Sequence, residues 1–274
     1  MNGPIAQLVA LTCHGNAFLD GLVTPAFFPA NSTCRFCDRI RFVETRKPLL
    51  RKARQVVVAE TPDGWIAQLR SRRATGLRLI RTAQDNPGIS DRLSAGFVGG
   101  GGNWMLELPK PTGLSEFWAA RWEVGDKNAP ERRVWRVSYH QEGEYRTRPY
   151  QGRGLAVVLR DFRASLVAIH AFSAREKCDP FTQLFADALR ALDSPEADIG
   201  YHKDLAVAGQ LAPEAVSLLK AAMSAWVFGG MGSWNDLSFE GLRQQEYELA
   251  SDGLFGVLNE AIEVAASSSG RPGG

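Results

Sequence analysis

A chain of 274 residues, 45% of them hydrophobic, with seven Trp and fourteen Phe, can bury a substantial core and is excluded from the disordered class. No run approaches the roughly 18 apolar residues of a membrane span, and no Lys or Arg precedes the apolar N-terminal stretch as a secretory leader requires. Four cysteines are too few for a secreted disulfide framework, so the reading is a cytoplasmic protein with reduced thiols and no membrane partner.

The formal net charge of +2 hides an asymmetry. Residues 1–150 carry 22 Lys and Arg against 14 Asp and Glu, and residues 151–274 carry 10 against 16. Such a division points to an anionic partner for the front half, or to the two halves meeting.

Taken in chain order, LTCHGNAFLDGLVTPAFFPANSTCRFC (11–37) comes first, with three of the four cysteines and a histidine. Cys34 and Cys37 have the C-x-x-C spacing that spans one edge of a zinc tetrahedron, and Cys13 with His14 are candidates for the other edge. Adjacent residues share an ion only if the chain turns between them, and inert buried thiols are the competing reading. The zinc deaminase pattern fails here, because Asn16 stands where a proton-carrying Glu is needed and no Pro precedes Cys34.

RFCDRIRFV (35–43) alternates, with Phe36, Ile40 and Phe42 on one face and Arg35, Arg39 and Arg41 on the other. Cys37 falls among the arginines, so its thiol is expected to be acidified and reactive. A basic series continues through Arg46, Lys47, Arg51, Lys52, Arg54, Arg70, Arg72 and Arg73. Together these side chains form a candidate cationic surface for an anionic partner: an acidic protein or a second copy first, nucleic acid next.

QVVVAETPDGWIAQLRS (55–71) reads as a hairpin around Pro62-Asp63-Gly64. Strands follow at 76–83, 104–108, 117–124 and 133–141. The four glycines at 99–102 lack the residues of a phosphate-binding motif and read as a loop. After Gly154 the period becomes helical. Helices are expected from 155 onward, over 180–192 with Asp179 as N-cap, from Pro213 to about Phe228, and over 239–266.

The expected fold is α+β: a mostly antiparallel sheet from the N-terminal half, covered on one face by helices from the C-terminal half. Residues 1–268 are read as a single two-layer domain, a β-rich basic half (1–150) and a helical acidic half (151–268), with 269–274 as a flexible tail. The functional expectation is a non-catalytic binding or adaptor protein with a cationic sheet face. The alternative is an enzyme, a metal-dependent hydrolase or a reactive-cysteine type, with its site around Cys13, His14, Cys34 and Cys37 and zinc as the candidate cofactor.

Overall fold

A computed structural model describes residues 1–46, 53–83, 89–96, 101–147, 153–194 and 202–270. The chain opens with helix α1 (Gly3–Leu19) and lays down β1 (Cys37–Arg46), β2 (Arg54–Ala59), the short α2 (Pro62–Ile66), β3 (Arg78–Thr82) and the short α3 (Asp91–Ser94). Strands β4 (Asn103–Pro109), β5 (Leu114–Val124) and β6 (Trp135–Arg146) complete one sheet of order β2-β1-β6-β5-β4-β3. Four helices follow: α4 (Leu155–Arg175), α5 (Asp179–Asp193), α6 (Pro213–Ser224) and α7 (Leu242–Ser267). The fold is α+β. The sheet is antiparallel except for the β1–β6 pair, and α4–α7 pack against one another and against the sheet through α7 alongside β3.

Two local readings are corrected. Residues 61–66 form a helical turn rather than the tip of a hairpin. The Thr61 hydroxyl accepts from Gly64 N at 3.2 Å, Pro62 occupies the first helical position and Asp63 the first turn. Thr-Pro-Asp-Gly serves a helix start as well as a β-turn, and burial of Trp65 against Phe42 decides between them. Residues 3–19, assigned no helix from the sequence, form one capped by Asn2, whose side chain accepts from Ile5 N at 3.0 Å. Thirteen of its residues are buried, including Gln7, Thr12, His14 and Asn16. A helix buried on all sides belongs at the centre of a fold, and α1 lies between the sheet and α7.

Its polar side chains close what would otherwise be exposed backbone. An edge strand presents unpaired N–H and C=O groups, and β3 is one edge. Asn16 Oδ1 accepts from Leu77 N at 2.7 Å while its Nδ2 donates to Leu77 O at 2.9 Å. The Ser267 hydroxyl takes the Leu79 amide at 3.0 Å and donates to the Leu79 carbonyl at 3.2 Å. Glu263 accepts from the backbone N–H of Arg81. Side chains of α1 and α7 thus stand in for a seventh strand. At Gly15 the approach is close: a Cβ there would lie 2.7 Å from a Leu77 methyl, so a larger residue would require the Leu77 side chain to shift. The other edge, β2, is interrupted by a register shift opposite Phe42/Val43, and Val58 O is covered by Gln68 Nε2 at 2.7 Å. Both devices discourage strand addition.

Glu263 has a measurable consequence. Burial pushes its carboxyl from 4.5 up to about 7. The folded state therefore holds the proton more tightly than the unfolded chain, so this group's contribution is full below about 4.5 and is lost as pH rises towards about 7. Glu263→Gln keeps an acceptor for Arg81 N and removes the charge. Urea unfolding should show equal stability near pH 4 and an advantage for the variant of about 3 kcal/mol near pH 8. A variant less stable than the parent at both pH values would contradict this role.

Candidate functional site

In the cysteine–histidine stretch, 11–37, several elements meet. Asn31 caps a 3-10 turn, Ser32–Cys34, by accepting from Thr33 N at 3.0 Å. The turn feeds β1 and is held from two sides. From α1, Gln7 Nε2 donates to Thr33 O at 3.3 Å and to Cys37 Sγ at 3.7 Å, while Gln7 Oε1 accepts from the Tyr139 hydroxyl of β6 at 2.8 Å. From the segment before α6, Asp204 accepts from Ser32 N at 2.7 Å and from the Ser32 hydroxyl. Its carbonyl oxygen takes Asn31 Nδ2 at 2.8 Å and His14 Nε2 at 3.1 Å.

The Ser32 hydroxyl also lies 2.9 Å from His202 Nδ1. Three residues of the hydrolytic triad types therefore meet, but in an order that does not relay a proton. In a triad the imidazole stands between hydroxyl and carboxylate. Here the hydroxyl stands between them, giving its proton to Asp204 and receiving one from His202, whose ring burial keeps neutral by lowering its pKa. The backbone donors of the turn are also engaged: Ser32 N by Asp204, Thr33 N by Asn31 Oδ1 and Cys34 N by Asn31 O. This geometry fastens the turn and leaves no oxyanion hole within it.

The expected metal ligands are brought into the same core but not onto one centre. Cys34 and Cys37 are neighbours, both linked to Thr33. Cys13 looks the other way, with a side-chain contact to Ser269. His14 rests edge-on against Phe27 at 5.1 Å. Among the described residues no group of three or more His, Cys, Asp or Glu is arranged to hold a metal ion.

The expectation of an acidified Cys37 is corrected. A register shift between Cys37 and Arg39 turns Cys37 into the core instead of leaving it among the arginines. Burial pushes its thiol up to about 11, against a weaker opposing pull from Gln7 and Arg133. Cys13 and Cys34 are driven to about 12 by the same cause. Phe36, expected on the buried face, precedes the strand and is 38% exposed.

The basic side chains divide among several places. Arg39 and Arg41 lie on the outer sheet face, and Arg41 is matched by Glu60 at 2.6 Å. Arg46 pairs with Glu44 at 3.4 Å. Arg72 is largely buried between Glu44 at 2.6 Å and Glu116 at 3.1 Å, over the Trp118 ring. Arg70 donates to Phe18 O and stacks on that ring. Arg54 and Arg73 are exposed, Arg73 in a left-handed conformation. Lys47, Arg51 and Lys52 lie outside the described residues.

Arg35 has a different setting. With Arg132 and Arg133 it lines a pocket of about 630 Å³ between residues 29–36 and the turn before β6, where Ser32 and Phe36 form the opposite wall. Glu131 and Arg132 are consecutive non-glycine residues at φ 56° and 58°. Left-handed backbone costs about 1 kcal/mol or more at such residues. Sequence reading missed Arg132 and Arg133 because that strain leaves no pattern in the residue types. On the far side of Ser32 and Phe36 opens a larger groove of about 1930 Å³, reaching Trp104, Trp122 and Trp135 of the sheet and Trp226 beyond α6.

No family model, curated protein or solved structure matches the chain. No helix among the described residues is long and apolar enough to cross a membrane.

Alkylation checks the thiol environments. Iodoacetamide on the native protein should label half-buried Cys178 first and slowly, since burial and the nearby acids Glu176 and Asp179 raise its pKa. Cys13, Cys34 and Cys37 should react only on unfolding. Labelling of native Cys37 ahead of Cys178 would contradict its burial.

Proposed function

We propose that this chain is a non-catalytic binding protein that seats an anionic group of its partner in the pocket beside Ser32. The observation that carries the reading is the convergence of Arg35, Arg132 and Arg133 on one concavity whose described lining holds a single acid, Glu131. Glu131 reaches Arg133 at 3.1 Å but is itself mostly exposed, so it screens weakly. Guanidinium groups match carboxylate and phosphate oxygens two at a time. The strained pair at 131–132 supports the same reading: backbone held in an unfavourable region beside a pocket is a common mark of a working site.

Arg41, Arg46 and Arg72 already have carboxylate partners, so the sheet face offers less charge than its residue types suggest, and the pocket is where three basic side chains share one concavity. An acidic group on a protein partner or on a second copy fits the pocket's size and charge. A nucleic acid, whose backbone needs an extended basic track, is less well served. The enzymatic alternative has weaker support, since the turn's own backbone donors are occupied and its histidine stands outside the relay order.

Two measurements on one variant test the proposal. Arg132→Gly removes a charge and relieves a left-handed residue. It should leave stability unchanged or raise it by up to about 1 kcal/mol. In the parent, titration with inorganic phosphate should shift the side-chain NMR signals of Arg35, Arg132 and Arg133 saturably, and high salt should suppress the shift. The variant should bind phosphate more weakly. Equal small shifts at every exposed arginine, or none at these three, would overturn the reading.

A further inference from the structure

Two cavities of opposite character share a wall. Ser32 and Phe36 line both the arginine pocket and the large groove. The groove's volume, about 1930 Å³, exceeds the roughly 300–1,000 Å³ typical of compact small-molecule sites. Indole rings and aliphatic side chains make up much of its lining, with Trp104, Trp122 and Trp135 from the sheet, Ile5 and Leu8 from α1, and Trp226; Trp135 N donates to Phe36 O at 3.0 Å, so that residue adjoins the shared wall. These indoles are only partly buried although they pack on the core. Alternation along β5 and β6 puts Trp122 and Trp135 on the same sheet face as buried Val137 and Tyr139. The core face of the sheet therefore runs out into an unfilled apolar trough that ends at a cluster of guanidinium groups.

The charges inside the trough decide what suits it. Two of its three arginines are matched, Arg78 by Glu107 at 3.2 Å and Arg81 by Asp91, and the third, Arg146, is exposed. It also carries Glu142, Glu260 and Glu263. A polyanion, whether nucleic acid or an acidic peptide laid along the trough, would find no continuous track of uncommitted cations and would pass Glu142 and Glu260, which Arg121 and Arg153 hold. A ligand with one anionic end and a neutral apolar body meets none of these objections.

We infer that the two cavities form one site for a single-chain anionic amphiphile, a long-chain fatty-acid carboxylate. Its head group sits between Arg132 and Arg133, and its hydrocarbon chain passes over Ser32 and Phe36 into the tryptophan-lined trough. The inference rests on the anion-binding reading above and adds the chemical class of the ligand. Burial of each further methylene strengthens binding, by about 0.8 kcal/mol when complete.

The test uses the full chain with octanoate, laurate and oleate below micelle-forming concentrations, followed by tryptophan fluorescence and calorimetry. Affinity should rise along the series, by about two- to fourfold per methylene over the first additions, with one oleate per chain. Oleyl alcohol should bind about tenfold or more weakly than oleate for want of the head group. Ala120→Trp, which narrows the trough beside Trp122, should abolish oleate binding and leave the phosphate-induced arginine shifts intact. Arg132→Gly should weaken oleate about tenfold and provides a second variant should Ala120→Trp fail to fold. Phosphate binding at the arginines with oleate no tighter than acetate would overturn the amphiphile and leave the anion pocket standing. Failure of both anions would overturn both, and equal binding of oleate and oleylamine would overturn the role of the arginines.

Discussion

The burial of one polar helix constrains everything else. Taking the side chains of Gln7, His14 and Asn16 out of water is unfavourable unless each finds partners. Gln7 finds them in β6 and the turn before β1 and Asn16 in Leu77 and Ser269, while His14 is held through Nε2 alone, by Asp204, its Nδ1 being buried without a partner. The contact from Asn16 to Ser269 spans 253 positions at 2.8 Å. Apolar packing alone tolerates sliding. Directional bonds from a fully enclosed helix fix the register between the sheet and the C-terminal helices.

That register also places the pocket. The turn carrying Ser32 hangs between Gln7 on one side and Asp204 on the other, and His14 touches the same Asp204 carbonyl. Movement of α1 along its axis would disturb both supports together. The wall shared by the two cavities belongs to the most heavily fastened stretch outside the regular elements. Arg132 and Arg133 approach it from a strained turn anchored between β5 and β6. A rigid wall faced by a strained one suits recognition of a fixed charge better than chemistry that needs freedom to move.

Much of the architecture was legible in the sequence. Two-residue alternation before residue 150 and helical spacing after Gly154 are direct readouts of sheet and helix, so all six strands and all four C-terminal helices lie close to their expected places, and only the second arm of the expected hairpin is absent. The failures share one cause. Residues 3–19 show no amphipathic stripe because the helix is buried all round, and periodicity detects only faces. Thr61-Pro62-Asp63-Gly64 suits two structures, and only the burial of Trp65 selects one. Cys37 was assigned to the arginine face by strict alternation, which a single register shift reverses. Ser269, placed in a flexible tail, is buried against Asn16. The cysteine–histidine stretch drew attention for its metal-ligand residue types. Its importance lies in Ser32 and its fastenings, which no spacing rule reveals.

Equilibrium urea unfolding of Asn16→Leu tests the organising role of α1 most directly. The leucine keeps the branched shape and heavy-atom count while stranding Leu77 N–H and C=O and the Ser269 hydroxyl. Loss of about 3 kcal/mol or more is expected, at the rate of about 1–3 kcal/mol per stranded group, together with faster hydrogen exchange at Leu77. A variant as stable as the parent, with Leu77 still protected, would show that the polar contacts of α1 are incidental and that apolar packing alone sets the fold.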